Sequence, residues 1–207
     1  MTTTASSANG TTFWVGGGPP SLVLDVDTDV TLAAVTSVSA SLMAPDGTTV
    51  PGLTAALDAT AKTITVSLPA NVFTMGGYYN LNLTMTAPTF TEYVEPVQLV
   101  VQAMDGWLTL EQARVLWPQA PDEDAVLFML LESAKAACIA FAPVLPVGSI
   151  VPVSYRQAQF QQARASWLAM SATMDSSVGD NEFAVTVFPL DWNVKQLLRP
   201  KGLPVMF

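Results

Sequence analysis

The residues best suited to chemistry are the carboxylates of Asp25-Val26-Asp27-Thr28-Asp29. Oxygen ligands at alternate positions open a calcium loop, which then needs a glycine at its sixth position and a bidentate acid at its twelfth. Val30 and Thr36 hold those two places, so the run reads as acids on the wetted face of a strand. The chain has no histidine. That removes the usual general base near neutral pH, every Ser–His and Cys–His couple, and every His-containing metal site. Cys138 is the single cysteine, so it can form neither an intrachain disulfide nor a zinc cluster. It lies in an apolar helical stretch and reads as a buried, inert thiol. Gly16-Gly17-Gly18 lacks dinucleotide spacing, and no glycine loop ends in Gly-Lys-Ser/Thr. Asp122, Asp124 and Asp191 sit where helices begin, which explains them without a hydrolytic carboxylate pair. Trp14, Trp107 and Trp192 could stack on sugars, but Trp107 and Trp192 border helices, where packing explains them. The expectation is a protein with no catalytic residue, no metal and no cofactor.

What remains is surface. Half of the residues are apolar and only 12% are charged, about half of the roughly 25% typical of soluble domains. A sparsely charged surface suits a protein that covers much of itself with neighbours. The net charge is −9: residues 1–104 carry seven acids against Lys62, giving −6, and residues 105–207 carry ten acids against seven bases, giving −3. Gripping nucleic acid needs clustered Lys and Arg to release counterions, and the chain has no such cluster. An acidic surface does fit one that DNA slides past without sticking. The polar start Met1-Thr2-Thr3-Thr4 has no basic region and predicts no signal peptide. Glu132, Lys135 and Pro143 interrupt the most apolar stretch, which predicts a core helix and no membrane span.

The elements that must position these residues fall into two halves. Residues 1–11 are small and polar and predict disorder. Residues 12–104 show a period of two: Leu22, Leu24 and Val26; Val38, Ala40 and Leu42; Ile64, Val66 and Leu68; Leu81, Leu83 and Met85; Val97, Leu99 and Val101. Each run has one apolar face and one mostly wetted face, the mark of antiparallel strands. Turn residues such as Pro45-Asp46-Gly47 and Gly76-Gly77 separate them. About seven such strands and no helix predict an antiparallel, immunoglobulin-like β-sandwich.

The pattern changes at Asp105-Gly106-Trp107, and residues 105–207 predict a small helical bundle, giving a two-domain α+β chain. Thr109 is placed to cap a first helix, Leu110 to Trp117, with Gln112 reaching back to close a capping box. A second helix runs from Pro121-Asp122-Glu123-Asp124 to about Ala142, with the stripe Leu127, Leu131, Ala134, Cys138 and Phe141. Val126, Phe128, Met129 and Leu130 make its first half apolar all round. Such a helix must be covered on several sides, so these four are the predicted self-assembly residues. After a proline-rich loop, a third helix over Ser154 to Met174 carries the stripe Phe160, Ala163, Trp167, Met170 and Met174, with Arg156, Gln157, Gln161 and Arg164 opposite. A polar loop, a short strand over Phe183 to Phe188, a last helix from Asp191 to Leu198 and an extended apolar tail complete the chain.

The helical half resembles the head-to-tail adaptor (connector) proteins of long-tailed bacteriophages. The resemblance rests on Gly106-Trp107-Leu108-Thr109-Leu110-Glu111-Gln112-Ala113, on Asp122-Glu123-Asp124 opening the second helix, on Tyr155-Arg156-Gln157-Ala158, and above all on the run from Phe188-Pro189-Leu190-Asp191-Trp192 through Arg199-Pro200-Lys201. It covers about Met104 to Phe207. It implies a structural virion protein, made in the host cytoplasm and located at the capsid–tail junction. There, twelve copies would form a ring between the portal protein and the next neck or tail protein, extending the DNA channel. It further implies that Trp192, Lys195, Leu197, Leu198, Arg199, Lys201, Val205 and Phe207 dock on a partner. The alternative is a phage structural protein whose front domain binds a host-surface protein or glycan.

Overall fold

The computed structural model describes residues 3–7, 10–174 and 190–199. The chain is α+β, with two β-sheets followed by four helices. It divides into two compact units, Met1–Met104 and Asp105–Phe207.

In the first unit, strands β1 (Thr4–Ser7), β3 (Ser21–Asp27), β7 (Thr63–Ser67) and β6 (Thr54–Asp58) form one sheet in the order β1-β3-β7-β6. Strands β2 (Thr12–Trp14), β10 (Val97–Gln102), β8 (Gly77–Ala87), β4 (Ser37–Met43) and β5 (Thr49–Val50) form the other in that order, and β9 (Phe90–Tyr93) pairs with the far half of β8. Leu22, Leu24, Ile64 and Val66 from the first sheet and Leu42, Tyr79, Leu81 and Leu99 from the second share one core. These are the inward residues of the period-two runs; each fully buried aliphatic contributes about 1.5–3 kcal/mol. Phe13 stacks on Phe73 at 5.1 Å and Tyr79 meets Phe73 edge-on at 5.2 Å. The Tyr79 hydroxyl accepts from the N–H groups of Thr74 and Met75 at 3.2 and 3.3 Å, so the ring is buried without orphaning its oxygen. Gly77 is required where β8 starts: its φ is +139°, and a Cβ there would lie 2.6 Å from Pro45 Cγ.

Three expectations need correction. The start of the chain is not wholly disordered: β1 pairs with β3 from Thr4↔Asp27 to Ser7↔Leu24, and Ala5 packs on the core. Small polar residues suffice there because an edge strand is held by its backbone bonds. The second sheet is mixed, since β2 runs parallel to β10; the long chain between these strands imposes no hairpin. Val100 and Gln102, expected on the wetted face of β10, are buried.

In the second unit, α1 (Leu110–Leu116), α2 (Asp124–Phe141), α3 (Val153–Met174) and α4 (Trp192–Leu198) follow in order. Trp107, Cys138, Tyr155, Ala158, Val194 and Leu198 form a core among them. The Thr109 side chain accepts from the Gln112 N–H at 3.3 Å, as expected of the cap. The box does not close, because Gln112 Oε1 takes a hydrogen bond from Arg156 Nη2 at 2.8 Å. Arg114 secures the start of α2, donating to the carbonyls of Pro121 and Asp122 at 3.0 and 2.8 Å and to Asp124 at 2.6 Å. The expected strand Phe183 to Phe188 and the tail lie outside the described residues.

Candidate functional site

The candidate chemistry of the first unit resolves into structure. Asp25 and Asp27 are exposed on β3, alternating with buried Leu24 and Val26. Thr28, inside the acidic run, shares a 2.8 Å hydrogen bond with Thr3, which donates to Glu92 at 2.7 Å. The Thr28 hydroxyl also accepts from the Val30 N–H at 3.1 Å. The run thus anchors the start of the chain. Among the described residues, no group of three or more Cys, Asp or Glu could hold a metal ion. No helix among them is long and apolar enough to cross a membrane.

Cys138 is fully buried, and burial pushes its thiol up from 9.0 to about 11. At neutral pH it is protonated and unreactive. Lys135, three residues before it on α2, meets Asp105 at 2.5 Å and Glu132 at 3.3 Å. Burial works to lower its pKa, but the two carboxylates outweigh burial and the net shift is upward. Asp105 also accepts from the Trp107 N–H at 3.2 Å. This cluster ties the entry of the helical unit to α2 and is structural.

The expected assembly residues on α2 separate. Phe128 and Leu130 are buried within the chain, Val126 is half-buried, and Met129 is 42% exposed. A neighbour is therefore not needed to cover Phe128 or Leu130, which corrects the expectation for those two. The docking set on α4 separates as well. Leu198 is buried and Leu197 packs on the same core. Arg199 donates from Nε to the Phe141 carbonyl at 2.8 Å and lies 4.8 Å from the center of that ring, so it closes the end of α2. Trp192 and Lys195 are exposed, Trp192 by 64%. Lys201, Val205 and Phe207 lie outside the described residues.

The buried face of α3 is not the expected stripe. It consists of Tyr155, Ala158, Gln159, Gln162, Ala163 and Ala169, while Phe160 and Trp167 are only half-buried. Gln159 is fully buried: its Oε1 accepts from the Leu108 N–H at 2.9 Å and its Nε2 donates to the Leu131 carbonyl at 3.1 Å. One amide thereby joins the start of the unit, α2 and α3. Phe160 is free to pack edge-on against Trp117 at 6.4 Å, with Arg164 over both rings at 5.6 and 5.9 Å.

Further large apolar residues are exposed. Val115 and Leu116 at the end of α1, Val144, Val147 and Ile150 in the loop before α3, and Val153 at its start are all exposed. Residue-type reading singled out none of them. The available signal was the alternation of aliphatics with Pro143, Pro146 and Pro152, which denies the loop any regular structure in which to bury them.

No protein-family model matches the chain, and no curated protein matches it. Among solved structures it is similar to CopC from Methylosinus trichosporium OB3b, at 15% identity and a TM-score of 0.36, over 51% of this chain and 99% of that one. A likeness this slight carries no argument about fold or function.

Proposed function

We propose that this chain is a structural assembly protein of the phage head-to-tail connector kind, without catalytic activity. Its helical units pack side by side into a ring of twelve copies at the capsid–tail junction. The ring joins the portal protein to the next neck or tail protein, and DNA passes through it without being gripped. The observation that carries the reading is the apolar surface the helical unit leaves in water: Val115, Leu116, Val144, Val147, Ile150 and Trp192. Exposed apolar side chains gathered into a patch mark association sites, and these are the ones such a patch would draw on.

The β unit is read as an immunoglobulin-like sandwich set on the ring, supported by its two sheets around one core. Among its described residues, only Met43 and Tyr93 are large exposed apolar residues before Met104 at the boundary. Tyr93, 74% exposed in β9, gives the host-surface alternative its best anchor. A glycan-array signal abolished by Tyr93→Ala would favour that reading.

Light scattering of the sized full-length protein, alone and with portal protein, tests the proposal. An oligomer well above dimer, or a stable portal complex, is expected. A strict monomer that ignores the portal would refute it. Removing residues 203–207 is expected to leave the fold intact and to weaken portal binding.

A further inference from the structure

The first sheet of the β unit ends differently on its two sides. On one side β1 leads into the other sheet: Thr3 bridges to Val94, and its carbonyl accepts from the Glu95 N–H at 2.8 Å. On the other side the last strand is β6, which pairs only with β7. An edge strand turns one row of N–H and C=O groups away from its partner, and proteins blunt such edges with Lys, Pro, a bulge or a very short strand. None of these protects β6. It is an unbroken ladder of five residues, Thr54-Ala55-Ala56-Leu57-Asp58, with its one charge at the end. Among the described residues, no main-chain hydrogen bond reaches its outer row. The edge also borders open space. Strand β5 covers only Leu42 and Met43 of β4, so residues 37–41 have an open outer edge as well. A cleft of about 260 Å³ lies there between β4 and β6. Leu32, Val35, Ser37, Ala55 and Leu57 are among the residues lining it, and none of its lining residues is charged.

We infer that β6 pairs with β6 of a second copy, antiparallel and about a two-fold axis at Ala56, so that the first sheets of two molecules run on as one. A free row of N–H and C=O groups calls for an extended backbone as its occupant. The residue pattern selects the same strand from another copy. With Ala56 opposite Ala56, Ala55 faces Leu57 and Thr54 faces Asp58, so no like charges meet across the pair. Small alanine methyls at the axis let the two backbones approach. Ala55 and Leu57 share the inner face of the sheet, opposite buried Val66 and Ile64. Those of the incoming strand point the same way and cover apolar surface at the uncharged cleft. The contact is isologous and closes at two copies. It therefore differs from any contact that builds a ring, and it does not rest on the connector reading.

Ala56→Cys in the full-length protein tests the pairing. Cys138 is buried and protonated, so the introduced thiol is the reactive one. Facing residues of antiparallel strands have Cα atoms about 4.5–5.5 Å apart, within reach of a disulfide. With oxidised glutathione as the oxidant, a covalent dimer should form about tenfold faster or more than from Thr91→Cys, an exposed position on β9. Hydrogen exchange gives a second readout. In wild type, amide exchange of β6 should slow as protein concentration rises. In Ala56→Lys it should stay fast, because two like charges then meet at the axis. Ala56 is exposed, so neither substitution disturbs the core. Covalent dimer forming no faster than from Thr91→Cys, or β6 exchange that ignores concentration, would overturn the pairing. A ring built through the helical unit alone would move neither readout, so that result overturns the pairing and leaves the connector reading standing.

Discussion

Ile64 and Ile150 are the same side chain in two different settings. Ile64 lies in β7 with none of its surface exposed, and Ile150 lies in the loop before α3 with 91% exposed. The contrast extends to the units around them. The first closes two sheets over its aliphatics and leaves few large apolar residues in water. The second uses alanines, glutamines and a cysteine for part of its interior and leaves aliphatics outside. A unit selected only for its own stability would do the reverse. The difference locates the surface on which association can act.

The sharpest way to break the comparison is to make the same substitution in both units. Ile64→Ala should cost about 2–5 kcal/mol of stability through the cavity it leaves. Ile150→Ala should stay within about 0.5 kcal/mol in dilute protein. Denaturant titration of each variant measures both, and equal losses would erase the distinction.

Gln159→Met should come next. It keeps the volume but removes the hydrogen bonds to Leu108 and Leu131, leaving buried backbone groups unpaired at about 2 kcal/mol. Hydrogen exchange should accelerate in α2 and α3 and stay unchanged in β3 and β7. Thr109→Ala should cost about 1 kcal/mol by exposing the start of α1, seen as a lower melting temperature for the helical unit.

The last effect is confined to alkaline pH. Lys135 is raised above 10.5, and Cys138 rises from 9.0 to about 11. A raised folded pKa gives stability that is present below the unfolded value and lost as pH climbs through the folded one. The Cys138 contribution should therefore fade between pH 9 and about 11, and that of Lys135 above 10.5. Stability curves for wild type and Cys138→Ala should diverge in slope over that range. Cys138 should also resist thiol reagents at neutral pH until denaturant is added.

The two units differ in how far their sequence could be read. In β3, β7 and β8 every second residue is apolar and inward, so period and burial coincide. The α3 helix defeated the same logic. Its largest apolar residues, Phe160 and Trp167, suggested the inner face, but the helix packs closely through Ala158 and Ala163 and satisfies Gln159 by hydrogen bonds. Hydrophobicity ranks side chains one at a time and does not see a buried amide with both partners. The α2 helix was ambiguous for another reason: apolar residues all round specify no face, so the burial of Phe128 and Leu130 depended on neighbours distant in sequence. Of the docking residues, Leu198 and Arg199 proved to be bound up within the unit, because a short helix spends its few residues first on its own anchoring.

Carbene footprinting of the full-length protein across a concentration series, with and without portal protein, tests the central claim most directly. Labelling of Val144, Val147, Ile150 and Trp192 should be strong in dilute solution and should fall as copies or portal are added, while Tyr93 stays labelled. Constant labelling of that apolar surface, in a protein that remains monomeric throughout, would contradict the account.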